Sequence, residues 1–221
     1  MTEASHPGRK EMIVLRAIGA LLDYPRSELR ALLPEIAEAI STSPLLRSQD
    51  RASLLGLVEF LRASEPLVAE QQYVELFGRG RATSLYLFEH VHGEGRDRGT
   101  AMVELKAVYQ AAGFELSSRE LPDYLPVVLE YLSCRDLAEA RTMLRDCAHI
   151  LRAIGEALLQ RRSGYAAALQ ALLGIAGEAG LDTKAASKRA ANREDLDAEW
   201  RERPAFETAR QGMMAGQGRR G

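Results

Sequence analysis

The chain of 221 residues is poor in the residue types that build disulfide scaffolds, metal sites and polyanion-binding surfaces. It has two cysteines, Cys134 and Cys147. Two cannot frame a disulfide-rich secreted fold, and their separation is not that of a zinc knuckle. Both are expected to be reduced packing residues. The histidines number four, and the pair His90-x-His92 would point roughly 200° apart on a helix, so it does not converge on one metal. Lysine plus arginine total 29 against 31 acidic residues. The net charge of −2 supplies no field for holding nucleic acid. No stretch approaches the roughly 18 uncharged apolar residues of a membrane span, and Met1 to Lys10 lacks the apolar run of a signal peptide. A soluble, cytoplasmic protein is expected.

What is present is apolar periodicity at three and four, with almost no alternation at two, so the fold is expected to be all-α. A first helix is placed from Gly8 to Leu22, with Met12, Leu15, Ile18 and Leu22 on one face, stopped by Asp23-Tyr24-Pro25. Ser27 is placed to cap the next helix, which Pro34 either kinks or divides. Further helices are read over 50–63, 67–77 and 85–91, and another ends at Gly113. From Arg135 to Arg162 one long helix is expected, with Leu137, Leu144, Leu151 and Leu158 at sevens. Such a seam serves either the interior of a bundle, the favoured reading, or a zipper-like dimer. A last helix is placed over 165–179. The whole is read as a single-domain helical bundle over 8–181. Residues 182–221 are charged and glycine-rich and are read as a mobile tail.

Catalytic constellations are missing. Gly93-x-Gly95-x-x-x-Gly99 lacks the Gly-Lys-Ser/Thr ending and the preceding strand of a phosphate loop, so a solvated turn is the better reading. Arg79, Arg81, Arg96 and Arg98 are either a basic rim for an acidic partner or, more simply, solvated charge. No Gly-x-Ser-x-Gly or carboxylate-x-x-His pattern occurs. No enzyme, bound metal or cofactor is expected. The unusual segment is Glu120-Leu121-Pro122-Asp123-Tyr124-Leu125-Pro126-Val127-Val128-Leu129-Glu130. With Asp123 as N-cap, Pro126 falls in the first turn, where it costs no helical hydrogen bond. Such a segment is either a stiff helix start or a groove wall with Asp123 and Glu130 at its rim for a basic peptide.

That segment, together with Tyr73-Val74-Glu75-Leu76-Phe77, Arg96-Asp97-Arg98-Gly99 and Tyr109-x-x-Ala112-Gly113-Phe114-Glu115-Leu116, closely resembles the NarJ-type nitrate reductase assembly chaperones. These belong with the TorD and DmsD redox-enzyme maturation proteins. The likeness runs from Arg9 to Ala179, is sharpest from Tyr73 to Leu132, and has an echo in Asp197 to Phe206. The chain departs from the family in having Gly78 after Phe77 and Tyr124 after Asp123, where the family has aspartate and histidine. The resemblance implies a chaperone, not an enzyme. It would bind the N-terminal segment of an apo molybdenum nitrate reductase catalytic subunit during cofactor insertion, as a monomer or weak homodimer. The client-binding residues it implies are Tyr73, Phe77, Tyr86, Leu125 and Leu129 for apolar side chains, Asp123 and Glu130 for basic ones, and Tyr124 and Pro126 beside them. A chaperone for an N- or S-oxide reductase is the runner-up, and a weak nucleotide hydrolase is the alternative of another class.

Overall fold

The computed structural model describes residues 7–91, 96–117 and 120–182. Within them the chain forms ten α-helices, as the apolar spacing requires. The first three are α1 (Pro7–Leu22), α2 (Ser27–Thr42) and α3 (Ser48–Ala63). α1 buries Met12, Leu15, Ile18 and Leu22 as expected. Pro34 neither divides α2 nor ends it. The buried face Leu29, Leu33, Ile36 and Ile40 continues on both sides of the proline, and packing of that face on α1 and α3 outweighs one lost backbone bond. Ser27 is the first helical residue; Arg26 holds the cap position without a side-chain bond.

α4 (Pro66–Phe77) is followed by a 3-10 turn at Arg81–Thr83 and the short α5 (Leu87–Val91). α6 (Arg96–Ala111) is closed by Gly113 at φ 72, with Phe114 N–H donating to Tyr109 O at 2.9 Å. α7 (Leu125–Ser133) packs along α1 in the most extensive helix pairing of the fold. Gly19 permits it, since a Cβ there would stand 3.2 Å from Pro126 O and 3.3 Å from Leu129 Cβ.

The long helix expected from Arg135 is two helices, α8 (Leu137–Asp146) and α9 (Ala148–Gln160), broken at Cys147. Leu144, Leu151 and Leu158 are nonetheless fully buried, so the heptad seam faces the interior of the chain. Their common neighbour is α10 (Ala166–Ala176), which packs on α9, α8, α3 and α1. A sequence of almost nothing but alanine and leucine is what a helix surrounded on all sides needs. It ends three residues earlier than expected, at Gly177 in the left-handed conformation. Among the described residues no helix is long and apolar enough to cross a membrane. The expected tail from residue 183 onward, and the turn holding Gly93 and Gly95, lie outside the described residues.

A tyrosine-lined groove at the junction of the first and seventh helices

The C-terminal end of α1, the start of α7, Tyr73 of α4 and the segment before α5 enclose an open groove of about 680 Å³. Its construction starts from Asp23-Tyr24-Pro25, which ends α1 and turns Asp23 and Tyr24 toward the cavity. Tyr86 and Tyr124 sit on two extended strands of chain that meet in an antiparallel bridge. Leu125 N–H donates to Leu85 O at 2.8 Å, and Leu87 N–H to Asp123 O at 3.0 Å. The two rings stand 5.1 Å apart at 33°.

The phenols form a chain. Tyr73 Oη lies 2.9 Å from Leu22 O and 3.0 Å from Tyr124 Oη, and Tyr124 Oη lies 3.1 Å from Asp23 Oδ1. Burial raises the pKa of both phenols well above the ordinary tyrosine value, so each keeps its proton. Two protons therefore serve three contacts. With Asp23 ionised, one contact is always without a hydrogen, and the network holds surplus acceptor capacity at the groove wall. A cationic donor reaching Asp23 would supply that carboxylate with a hydrogen and free Tyr124 to donate to Tyr73 while Tyr73 donates to Leu22 O.

Of the nine expected site residues, Tyr73, Tyr86, Tyr124, Pro126 and Glu130 line this groove. Leu125 and Leu129 do not: both are fully buried against α1, because the apolar stripe of α7 is the stripe that packs. Phe77 sits behind the groove, its ring 4.7 Å from Tyr73 and 5.1 Å from Tyr165. Asp123 is neither at a rim nor the cap of α7; Tyr124 holds that cap position. Fully buried, Asp123 accepts from Phe88 N–H at 3.1 Å through Oδ2, so it caps α5 and latches the bridged segment instead. Burial pushes its carboxyl pKa up, and Oδ1 has no partner among the described residues.

Sequence reasoning missed Asp23 and Tyr24, taken only as a helix stop, and the exposed apolar pair Leu32 and Leu121. The run Asp-Tyr-Pro carries a polar pair at a helix end, which was the available signal. Glu130 meets Arg16 only loosely, at 3.8 Å, with both side chains about half or more exposed (48% and 69%). Of the arginines read as a basic rim or, more simply, as solvated charge, Arg98 pairs with Glu89 at 3.5 Å and the exposed Arg81 donates to Glu89 O. Cys134 is exposed, not a packing residue as expected. Cys147 is partly buried at the α8–α9 break, its pKa pushed up to about 12 by burial, so it is a thiol at neutral pH. No cluster of three or more potential metal ligands occurs among the described residues.

Helices wrapped on a central α10, with an open polyphenolic groove beside a bridged segment, define an all-helical scaffold with a peptide-sized recess. The chain belongs to the nitrate reductase delta subunit family, which it matches over residues 43–171. It is 46% identical over 196 residues to the nitrate reductase molybdenum cofactor assembly chaperone NarJ of Escherichia coli K12, covering 86% of this chain and 83% of that protein. It is 41% identical to the probable chaperone NarW of the same strain, covering 86% and 82%. A probable NarJ of Bacillus subtilis is 33% identical, covering 73% of this chain and 86% of its own.

Proposed function

We propose that this chain is a system-specific, non-enzymatic cytoplasmic assembly chaperone. It holds the N-terminal segment of the apo catalytic subunit of a molybdenum nitrate reductase in the α1–α7 groove while the molybdenum cofactor is inserted. Kinship with assembly chaperones named for that enzyme supports the client class. The observation that carries the choice of groove is the surplus of acceptors at Asp23, beside exposed Glu120 and Glu130, which suits the arginine or lysine of a basic leader. Tyr86, Tyr124, Leu32 and Leu121 offer apolar surface to the leader's other face. Each large apolar side chain buried there contributes roughly 1.5–3 kcal/mol, against about 0–1 for an exposed charge pair. Apolar contact sets affinity, and the carboxylates set orientation.

Calorimetric titration of the full chain with a synthetic N-terminal peptide of a nitrate reductase catalytic subunit tests this reading. Glu130→Lys is expected to weaken binding several-fold and flatten its salt dependence, at unchanged melting temperature. A reversal at the exposed Glu104 of α6, Glu104→Lys, is expected to change neither. Equal binding by parent and Glu130→Lys would remove the groove from the site. Tighter binding of an N- or S-oxide reductase leader would reassign the client.

A further inference from the structure

A second recess, of about 370 Å³, opens beside Asp23 and Tyr24, against Glu28, Leu29 and Leu32 of α2. It shares Ala20, Asp23, Tyr24, Arg26 and Leu32 with the tyrosine-lined groove, so the two form one trough with Asp23 where they meet. Asp23 also follows the C-terminal end of α1, the negative end of the helix dipole. A cation placed there is favoured twice, by the carboxylate and by the helix.

The fold leaves this carboxylate without a cation. Two arginines line the trough, Arg16 and Arg26, and neither pairs with Asp23 among the described residues. Arg16 lies 3.8 Å from Glu130, and the guanidinium of Arg26 stands 5.7 Å from the ring centre of Tyr24. Among the described residues the Asp23 carboxylate has one hydrogen-bond partner, Tyr124 Oη at 3.1 Å from Oδ1.

The protons available in the wall set what a ligand must bring. Tyr73 and Tyr124 hold one each, and Leu22 O can only accept. Once a ligand donates to Asp23, Tyr73 donates to Leu22 O and Tyr124 to Tyr73. Tyr124 Oη and Asp23 Oδ1 are then two acceptors 3.1 Å apart with no hydrogen between them. One N–H to each is required. A guanidinium carries parallel N–H groups in a rigid plane and matches two acceptors so close together, whereas an ammonium is a strongly hydrated point charge with no such fork. Flat aromatic faces favour the same choice. Tyr24 and Tyr86 are partly exposed in the wall, and Tyr24 already carries the Arg26 guanidinium.

We propose that Asp23, together with Tyr124, is the specificity-determining point of the trough and selects an arginine side chain of the bound segment over a lysine. This selectivity rests on the groove being the client site, as proposed above, and adds which base the groove requires. The arginine donates one N–H to Asp23 and one to Tyr124 Oη. Glu120 and Glu130, exposed in the same wall, attract either base and do not discriminate.

The test is calorimetric titration of the full chain with two forms of one synthetic N-terminal peptide of a nitrate reductase catalytic subunit. Every basic residue is arginine in one form and lysine in the other, so net charge is the same. The arginine form is expected to bind about tenfold tighter. Asp23→Asn and Tyr124→Phe are each expected to cut that preference to about threefold or less, chiefly by weakening the arginine form. Asp23→Asn removes a negative charge from the end of α1 and is expected to leave the melting temperature unchanged or raised, so its loss of binding is not a loss of folding. Glu130→Lys is expected to weaken both forms alike and leave their ratio unchanged. Equal binding of the two forms, or an arginine preference that survives in Asp23→Asn, would overturn the proposal while a loss in Glu130→Lys keeps the groove as the client site. Absence of binding by either form, or binding that Glu130→Lys leaves untouched, would instead remove the groove and this selectivity with it.

Discussion

The groove lined by Tyr73 and a cavity of about 630 Å³ lined by Tyr165, between α3, α4 and the α9–α10 turn, share an aromatic wall and treat it differently. Tyr73 and Tyr165 meet edge to face, ring centroids 6.1 Å apart, with Phe77 in contact with both. On the groove side, Tyr73 and Tyr124 are joined to each other, to a helix-end carbonyl and to Asp23. Tyr165 meets Tyr73 and Phe77, and its hydroxyl has no partner among the described residues. A tyrosine in an aromatic cluster is therefore not one kind of residue. Where its hydroxyl is paired it holds helices together, and where it is buried without a partner the fold carries a cost.

The largest expected effect comes from the frame under the groove. Leu129 is fully buried at the α1–α7 contact, so Leu129→Ala is expected to cost about 2–5 kcal/mol in chemical denaturation, through lost burial and a residual cavity. A cost under about 1 kcal/mol would mean that the groove wall does not depend on this contact.

Next is the latch. Asp123→Ala leaves Phe88 N–H without its acceptor and is expected to cost about 1–3 kcal/mol. Faster hydrogen exchange is expected at Leu87 and Phe88, with no change in α3. Asp123→Asn keeps an acceptor and removes the charge. Burial holds this carboxyl above its ordinary pKa of 3.8, so the folded state binds its proton more tightly than the unfolded chain does. That contribution favours folding at pH below 3.8 and is lost as pH rises through the folded-state value. Stability of Asp123→Asn relative to the parent should accordingly increase with pH across that window. Denaturant melts in an acidic and a neutral buffer check the sign, and a difference that shrank on going to neutral pH would contradict the burial.

The sharpest form of the comparison is the smallest effect. Tyr73→Phe removes a hydroxyl that serves Leu22 O and Tyr124, and is expected to cost about 1 kcal/mol. Tyr165→Phe removes the same atom a ring away and is expected to cost nothing or to stabilise. Two melting curves of the same sign and size would erase the distinction between the cavities.

Much of the helix inventory was legible because periodicity and caps are local. α1 ends where Asp23-Tyr24-Pro25 forbids more helix, and Gly113 closes α6 with the conformation only glycine takes freely. The break at Cys147 was not legible, because the apolar spacing passes through it unchanged. Only contact with α10 shows that two helices wrap around a third where the pattern reads as one straight seam.

The groove was legible as a neighbourhood and not as an orientation. The motif from Glu120 to Glu130 does build the groove, but the sequence cannot say which face of a nine-residue helix is wall and which is core. Leu125 and Leu129 went to the core, and Pro126 and Glu130 to the groove, because α1 approaches at Gly19. Asp123 became a latch because Leu87 and Phe88, far away along the chain, donate to it. By itself the sequence determined an all-helical protein, the ends of α1 and α6 and the segment that carries the groove, since these follow from side-chain spacing and backbone preference within a few residues. Tertiary structure alone decided which tyrosines share their protons and that the Tyr165 hydroxyl is buried with no partner among the described residues, since a hydrogen bond depends on ångström distances between residues that the chain brings together only on folding.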